Sequence, residues 1–225
     1  HYAGVEPDKL VVVPRGVDPA AFPRGHRPSA EWRATIERQH PALAGVPLLL
    51  LPARGTRLKN HADAIEVLAR LREAHGIEAG LWLLGARDPG REAYVAELEA
   101  HALKRGVAAR VAITEPRSDI VDAYGMAAVV LQVSGKPESF GRTVVEALSV
   151  GVPVAGYAHG GVGELLRELL PAGAVALGDV EALAAVVANW LRHPPEVPSP
   201  ARYRLSRMQE ATLALYTEIV EAWPD

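Results

Sequence analysis

The chain has 225 residues, 49% of them hydrophobic and 23% charged, with a formal net charge of −3 at pH 7. That balance excludes an electrostatic grip on nucleic acid, and a chain of this length buries about 70% of its unfolded surface in one core without staples. The sequence contains no cysteine, so disulfides are excluded and a reducing compartment fits; the longest apolar run, near residues 46–52, is too short to span a bilayer, and no signal peptide is read at the start.

In chain order, strand-like runs are expected at 10–13, 47–53, 80–85, 110–114, 128–133, 152–157 and 173–177. They alternate with helix-like segments at 29–39, 60–75, 91–104, 118–124, 142–150, 162–169, 180–192 and 202–222, three of them followed by Gly76, Gly106 and Gly151 as left-handed stops. Parallel strands need crossovers of a dozen residues or more, so this alternation predicts an α/β fold, a doubly wound parallel sheet with helices on both faces, Rossmann-like. Residues 1–200 read as one domain. The proline-rich stretch 193–200 reads as a rigid connector to a last helix whose Leu205, Met208, Ala211, Leu215 and Ile219 lie near one face.

Two loops carry the candidate chemistry. After the run ending at Ala53, Arg54, Arg57 and Lys59 cluster; after the run ending at Val133, a loop reaches Glu138 and then Phe140, Gly141, Arg142 and Thr143 at the start of a helix that carries Glu146. Ligands of open α/β sheets collect beyond the carboxyl ends of strands, and a helix start offers unpaired N–H groups and a partial positive charge to a phosphate. Gly141, with no Cβ, is read as the point of close approach for the anion, and each carboxylate can accept a pair of vicinal hydroxyls. The residues alone admit another reading equally well, with Glu138 as a first-turn acid and Glu146 paired to Arg142 one turn earlier. Ser118 reads as the N-cap of the helix at 119–124, with Arg117 a solvated loop residue beside it. Gly160-Gly161-Val162-Gly163-Glu164 lacks the spacing of a dinucleotide fingerprint, and turn geometry accounts for its glycines. His61 and His159 flank the loops without any spacing that suits a metal, and no metal is assigned.

Four stretches together resemble the retaining glycosyltransferases of family 4, in the carboxyl-terminal, nucleotide-sugar-binding half of their GT-B fold. They are Val11 to Asp18 with Phe22, Arg54 to Lys59, Glu138 to Glu146, and Gly160 to Glu164; the likeness runs from about Lys9 to Glu218 and looks closest to bacterial members that build surface polysaccharide. The resemblance implies a nucleotide diphosphate sugar as donor and no cofactor or metal. By position, Arg54 and Lys59 would neutralise the diphosphate, and Glu138 with the backbone N–H groups of Phe140, Gly141 and Arg142 would hold the sugar and diphosphate. Thr143 would lie near the phosphates, Glu146 would bind the ribose hydroxyls, and Arg117 would line the base pocket. Glu115, where the family has glycine, leaves base contacts open, and Asn60 replaces a glycine after Lys59.

The resemblance also implies a preceding acceptor domain, so the chain reads as an excerpt that is inactive alone. Its acceptor would be a glycan or lipid-linked molecule reached through that domain, and its last helix, 201–225, would pack back toward it. The expected location is the cytoplasm, including the inner face of the membrane, with no transmembrane segment. Two other readings stand beside this one: a non-catalytic nucleotide- or phosphate-binding α/β module, and a GT-B epimerase or phosphorylase.

Overall fold

Leu48 to Leu51 form an unbroken apolar run, and such a run suits a parallel strand covered by helices on both faces. In the computed structural model, which describes Glu6 and residues 9–222, it forms β1 (Leu48–Pro52), with Leu49 and Leu50 fully buried. β2 (Gly80–Leu84), β3 (Val111–Thr114), β4 (Val129–Gln132), β5 (Val154–Tyr157) and β6 (Ala174–Val175) complete one sheet in the order β3-β2-β1-β4-β5-β6, every pair parallel. Leu50 is flanked by Trp82 on one side and Val130 on the other. Trp82 is fully buried, and its indole N–H donates to Thr114 Oγ1 at 2.9 Å, which satisfies the one polar atom it brings inside.

The helices are α1 (Ala30–Gln39), α2 (His61–His75), α3 (Glu92–Lys104), α4 (Ile120–Met126), α5 (Arg142–Val150), α6 (Gly160–Leu169), α7 (Val180–Arg192) and α8 (Leu205–Ala222). α2 packs against α3 and α7, while α5 packs against α4 and α6. With right-handed crossovers, the connections from β1 toward β3 lie on one face and those from β4 toward β6 on the other. The chain reverses its winding between β1 and β4, the two strands at the middle of the sheet.

Several expectations are corrected. Residues 10–13 do not form a strand: Leu10, Val11 and Val12 are 44%, 61% and 87% exposed. The valines suit a pleated, half-covered surface, but no neighbouring strand lies beside them among the described residues. The chain first docks at Val17, whose N–H donates to Tyr203 and whose carbonyl accepts from Leu205. A Cβ on Gly16 would stand 2.4 Å from the Arg204 carbonyl oxygen, so only glycine allows that approach. Among the described residues six strands form, not seven. α6 starts two residues earlier than read, and α8 starts at Leu205 after a short 3₁₀ turn. The helix read from Ser118 starts at Ile120, capped by the Asp119 backbone with no side-chain bond, because that carboxylate is used elsewhere.

α8 also differs in its packing. Leu205, Met208 and Leu215 are half-buried, whereas Ala211 and Ile219, read as part of the same stripe, are exposed. None of its residues is fully buried, and Leu213, Tyr216 and Val220 stand 66%, 63% and 72% exposed. No helix of the described residues is long and apolar enough to cross a membrane.

Candidate functional site

Because β1 and β4 are neighbours whose outgoing connections part to opposite faces, the loops 53–60 and 133–141 open a crevice beyond their carboxyl ends. The two loops are tied together: Gly135 N–H donates to the Leu58 carbonyl at 2.9 Å. Across the crevice Lys59 Nζ meets Glu138 Oε1 at 2.6 Å, with the side chains 29% and 22% exposed. The Ser134 hydroxyl donates to the same Glu138 oxygen. Glu138 is therefore no helix cap; its carboxylate faces a cation from another loop.

The three cations of the first loop divide their work. Lys59 turns into the crevice. Arg57 turns out of it, pairing with Glu97 at 2.7 Å and lying 5.4 Å from the centre of the Tyr94 ring. Arg54 is exposed and has no side-chain partner among the described residues. The turn itself is pinned from below. A Cβ on Gly55 would lie 2.0 Å from the Ala86 carbonyl oxygen, so the loop lies against the exit of β2. Asn60 adopts φ 52°, one of the few left-handed positions asparagine tolerates, and its amide donates to Asp63 at 2.6 Å. Tyr157, at the end of β5, donates to the same carboxylate, and burial together with Asp63 drives its phenol well up from the usual value.

His61, the first residue of α2, is fully buried. Nε2 lies 3.3 Å from the Ala53 carbonyl and Nδ1 3.3 Å from the Tyr94 hydroxyl. A carbonyl can only accept, so Nε2 carries the proton and Nδ1 accepts from the phenol, which is the neutral ring. Burial lowers its pKa to about 4. His61 is thus a strut under the Arg54 to Lys59 turn.

The second loop is backed by α6. A Cβ on Gly161 would fall 2.5 Å from Phe140 Cα and O, and one on Gly160 would fall 2.8 Å from the Glu138 carbonyl oxygen; Gly161 N–H donates to that carbonyl at 2.8 Å. The glycines read as plain turn residues are therefore what lets α6 seat the Glu138 to Gly141 loop. Gly141 itself has φ 98°, and its missing Cβ would meet Val162 Cγ2 at 2.9 Å. Backbone conformation and the packing of α6 are reasons for glycine there apart from any anion. The Phe140 ring packs on Tyr203 at 5.8 Å between centroids, and His159 Nε2–H donates to the Ser134 carbonyl at 2.7 Å.

Glu146 lies in the second turn of α5, its side chain 13% exposed, with Arg142 Nη2 on Oε1 at 2.9 Å. The i,i+4 pair of the plainer reading is present. A second partner was not foreseen: the Tyr124 hydroxyl donates to Oε2 at 2.9 Å, with Thr143 beside the same phenol. Glu146 lines a cavity of about 310 Å³ together with Asp18, Phe22, Phe140, Arg142 and Met208. Lys59 and Glu138 are not among its walls, so the two carboxylates do not share this cavity.

Arg117 leaves the edge strand β3, two positions from β1 in the sheet, and is not brought to the crevice. Its guanidinium grips Asp119 through two bonds of 2.8 and 2.6 Å and lies 5.9 Å from the centre of the Trp32 ring, whose N–H also reaches Asp119 at 2.7 Å. It is a structured residue, not a solvated one. The guanidinium holds the Asp119 carboxyl below the usual range. Among the described residues no group of three or more His, Cys, Asp or Glu side chains converges as a metal site would.

Curated relatives include the D-inositol 3-phosphate glycosyltransferase of Xylanimonas cellulosilytica, 35% identical over 161 residues, covering 71% of this chain and 37% of that protein. The protein of the same description from Mycobacterium avium is 29% identical over 224 residues, covering 96% of this chain and 47% of its own length. The chain thus spans less than half of these relatives. Among solved structures, Anabaena HepE in complex with UDP-glucose superposes with a TM-score of 0.79 at 22% identity, over 95% of this chain and 59% of that one. A glycosyltransferase from Rickettsia africae gives 0.79 at 23%, over 97% and 59%. These likenesses establish the fold, a Rossmann-like α/β domain of the kind found in GT-B glycosyltransferases. The family pattern described as glycosyl transferases group 1 matches residues 33–207, a span that contains both crevice loops, Glu146 and the glycines behind them, and the chain belongs to that family.

Proposed function

We propose that this chain is the donor-binding half of a retaining glycosyltransferase that moves a sugar from a nucleotide diphosphate sugar to a glycan or lipid-linked acceptor. The observation that carries the reading is the meeting of Lys59 and Glu138 at the switch point of the sheet, with Arg54 exposed and uncommitted beside them. Departure of a nucleoside diphosphate builds negative charge on its oxygens, and fixed cations aimed at that charge stabilise the transition state without a metal ion. In this reading Lys59 and Arg54 hold the diphosphate, together with the N–H groups of Phe140, Gly141 and Arg142 at the start of α5 and the nearby Thr143. Lys59 exchanges its bond with Glu138 for phosphate, which frees the carboxylate to take sugar hydroxyls. Glu138 is assigned no covalent role. Glu146 takes the ribose hydroxyls, while Arg117, committed to Asp119, has no part in this reading.

The names of the relatives favour a second reading of the acceptor. D-inositol 3-phosphate and 2-deoxystreptamine appear in them, which points to a small soluble polyhydroxylated molecule instead of surface polysaccharide. Either acceptor requires a region beyond this chain, and either is compatible with work in the cytoplasm.

Calorimetric titration of the chain with UDP, GDP and ADP and their glucose conjugates, with and without EDTA, tests the donor reading. UDP comes first because the Anabaena structure holds UDP-glucose. Binding of one diphosphate that EDTA leaves unchanged and Lys59→Ala weakens is the expected result. Binding that needs a divalent ion, or that ignores Lys59→Ala, would overturn the assignment of these cations.

A further inference from the structure

We infer that Tyr124 is a positioning residue for nucleotide recognition, acting through Glu146 to set discrimination in favour of the ribose hydroxyls. The inference rests on the donor-site reading and adds to it a residue that touches no ligand.

Tyr124 is 1% exposed, yet its phenol ends in a direct bond to Glu146 Oε2 at 2.9 Å. A buried hydroxyl needs a partner, but a backbone carbonyl within its own helix layer would serve. Here the partner is instead a carboxylate on the next helix, α5, which lines a cavity of about 310 Å³. The two oxygens of Glu146 are held unequally. Oε1 is held by Arg142, whose side chain is 70% exposed and free to leave. Oε2 is held by a rigid phenol packed at 6.2 Å against Phe22, itself a wall of the same cavity. One bond from an immobile donor fixes the rotation of the carboxyl plane and leaves the remaining lone pairs aimed at the cavity. Two vicinal hydroxyls bind such a preset plane without first ordering it, so geometry already fixed in the empty protein becomes affinity. Burial and the neighbouring Glu146 push the phenol well above its usual value, so it stays a donor at every working pH.

The test compares UDP, GDP and ADP with their 2′,3′-dideoxy counterparts by calorimetry on wild type, Tyr124→Phe, Glu146→Gln and the double variant. Tyr124→Phe keeps the ring and its packing, and thermal unfolding checks that the fold survives. The expected result is a ribose-to-dideoxyribose affinity ratio that drops by about five- to tenfold in Tyr124→Phe, with affinity for the dideoxy probe unchanged. In the double variant the Phe change should add little to Glu146→Gln. Equal weakening of both probes would show a merely structural phenol and overturn the inference. A ratio that collapses in Glu146→Gln but persists in Tyr124→Phe would overturn it while sparing the donor site. A ratio unmoved by Glu146→Gln would remove the ribose role of Glu146, and the role of Tyr124 with it.

Discussion

Glu138 and Glu146 belong to one short segment, yet the protein holds them by opposite means. Glu138 sits in a loop and is fixed by Ser134 of that loop and by pieces from elsewhere in the chain: Lys59 on its carboxylate, and the first turn of α6 behind its backbone. Glu146 sits in a helix and is fixed from underneath, by a phenol rooted in the core. Under the donor-site proposal the first arrangement would give way when a ligand competes for the lysine, and the second would keep its shape. The proposed group transfer would use both kinds, a yielding contact where charge moves and a rigid one where the donor is recognised.

The largest separation of the two sides should come from acid. His61 supports the Lys59 turn as a neutral ring with a pKa of about 4, against 6.5 unfolded. Its folded value is the lower one, so between pH 6.5 and 4 the unfolded chain binds a proton the native ring refuses. Stability therefore falls as pH drops through that window and levels off below it. The shift corresponds to about 3 kcal/mol. Denaturant titrations at pH 7 and pH 4 should show His61→Gln losing less stability than wild type by about that amount. Parallel curves for the two proteins would mean that folding leaves the titration of the ring unchanged.

Next in size is Gly161→Ala, which places a methyl where Phe140 backbone already stands. Overpacking of this kind costs about 1–3 kcal/mol of stability. More to the point, it should displace the Glu138 loop and weaken diphosphate binding while the preference for ribose persists. If the ratio of ribo- to dideoxyribonucleotide affinity fell along with overall affinity, the two carboxylates would not be independently held. Lys59→Ala attacks the same side more gently, with an expected loss of about 2 kcal/mol for diphosphates and far less for nucleosides. Equal losses for both ligands would place Lys59 outside the phosphate site.

Much of this arrangement is legible in the sequence. Leucine and valine runs with glycine stops gave the sheet and most helix bounds, because burial on both faces leaves a strand no polar positions. The valines at 11–13 misled, since an isolated strand signal says nothing about whether a neighbour exists. The partners of the charged residues were the least legible. Arg54, Arg57 and Lys59 look alike in sequence, and only the position of Tyr94 and Glu97 on α3 draws Arg57 away. Tyr124 and Glu146 lie on successive helices with no shared period, so nothing in the pattern joins them. Gly160 and Gly161 read as a turn because a close backbone approach leaves the same mark on a sequence as a tight bend.

The smallest expected effect is the most pointed. Arg142 bonds Glu146 at 2.9 Å, as near as Tyr124 does, but its side chain is 70% exposed. An exposed i,i+4 ion pair on a helix contributes about 0.3–0.5 kcal/mol, because water competes for both charges and the long side chain gives up entropy to stay. Arg142→Ala keeps the backbone N–H at the start of α5 and removes this pair together with one exposed side chain at the cavity wall. Thermal unfolding should register the loss as a shift near the limit of detection, and the ribose ratio should change by less than about twofold if the phenol alone sets the carboxyl plane. Two bonds of equal length would then differ in consequence, because one partner is anchored in the core and the other stands in solvent. A larger drop for Arg142→Ala than for Tyr124→Phe would reverse that assignment and make the guanidinium the element that aims Glu146.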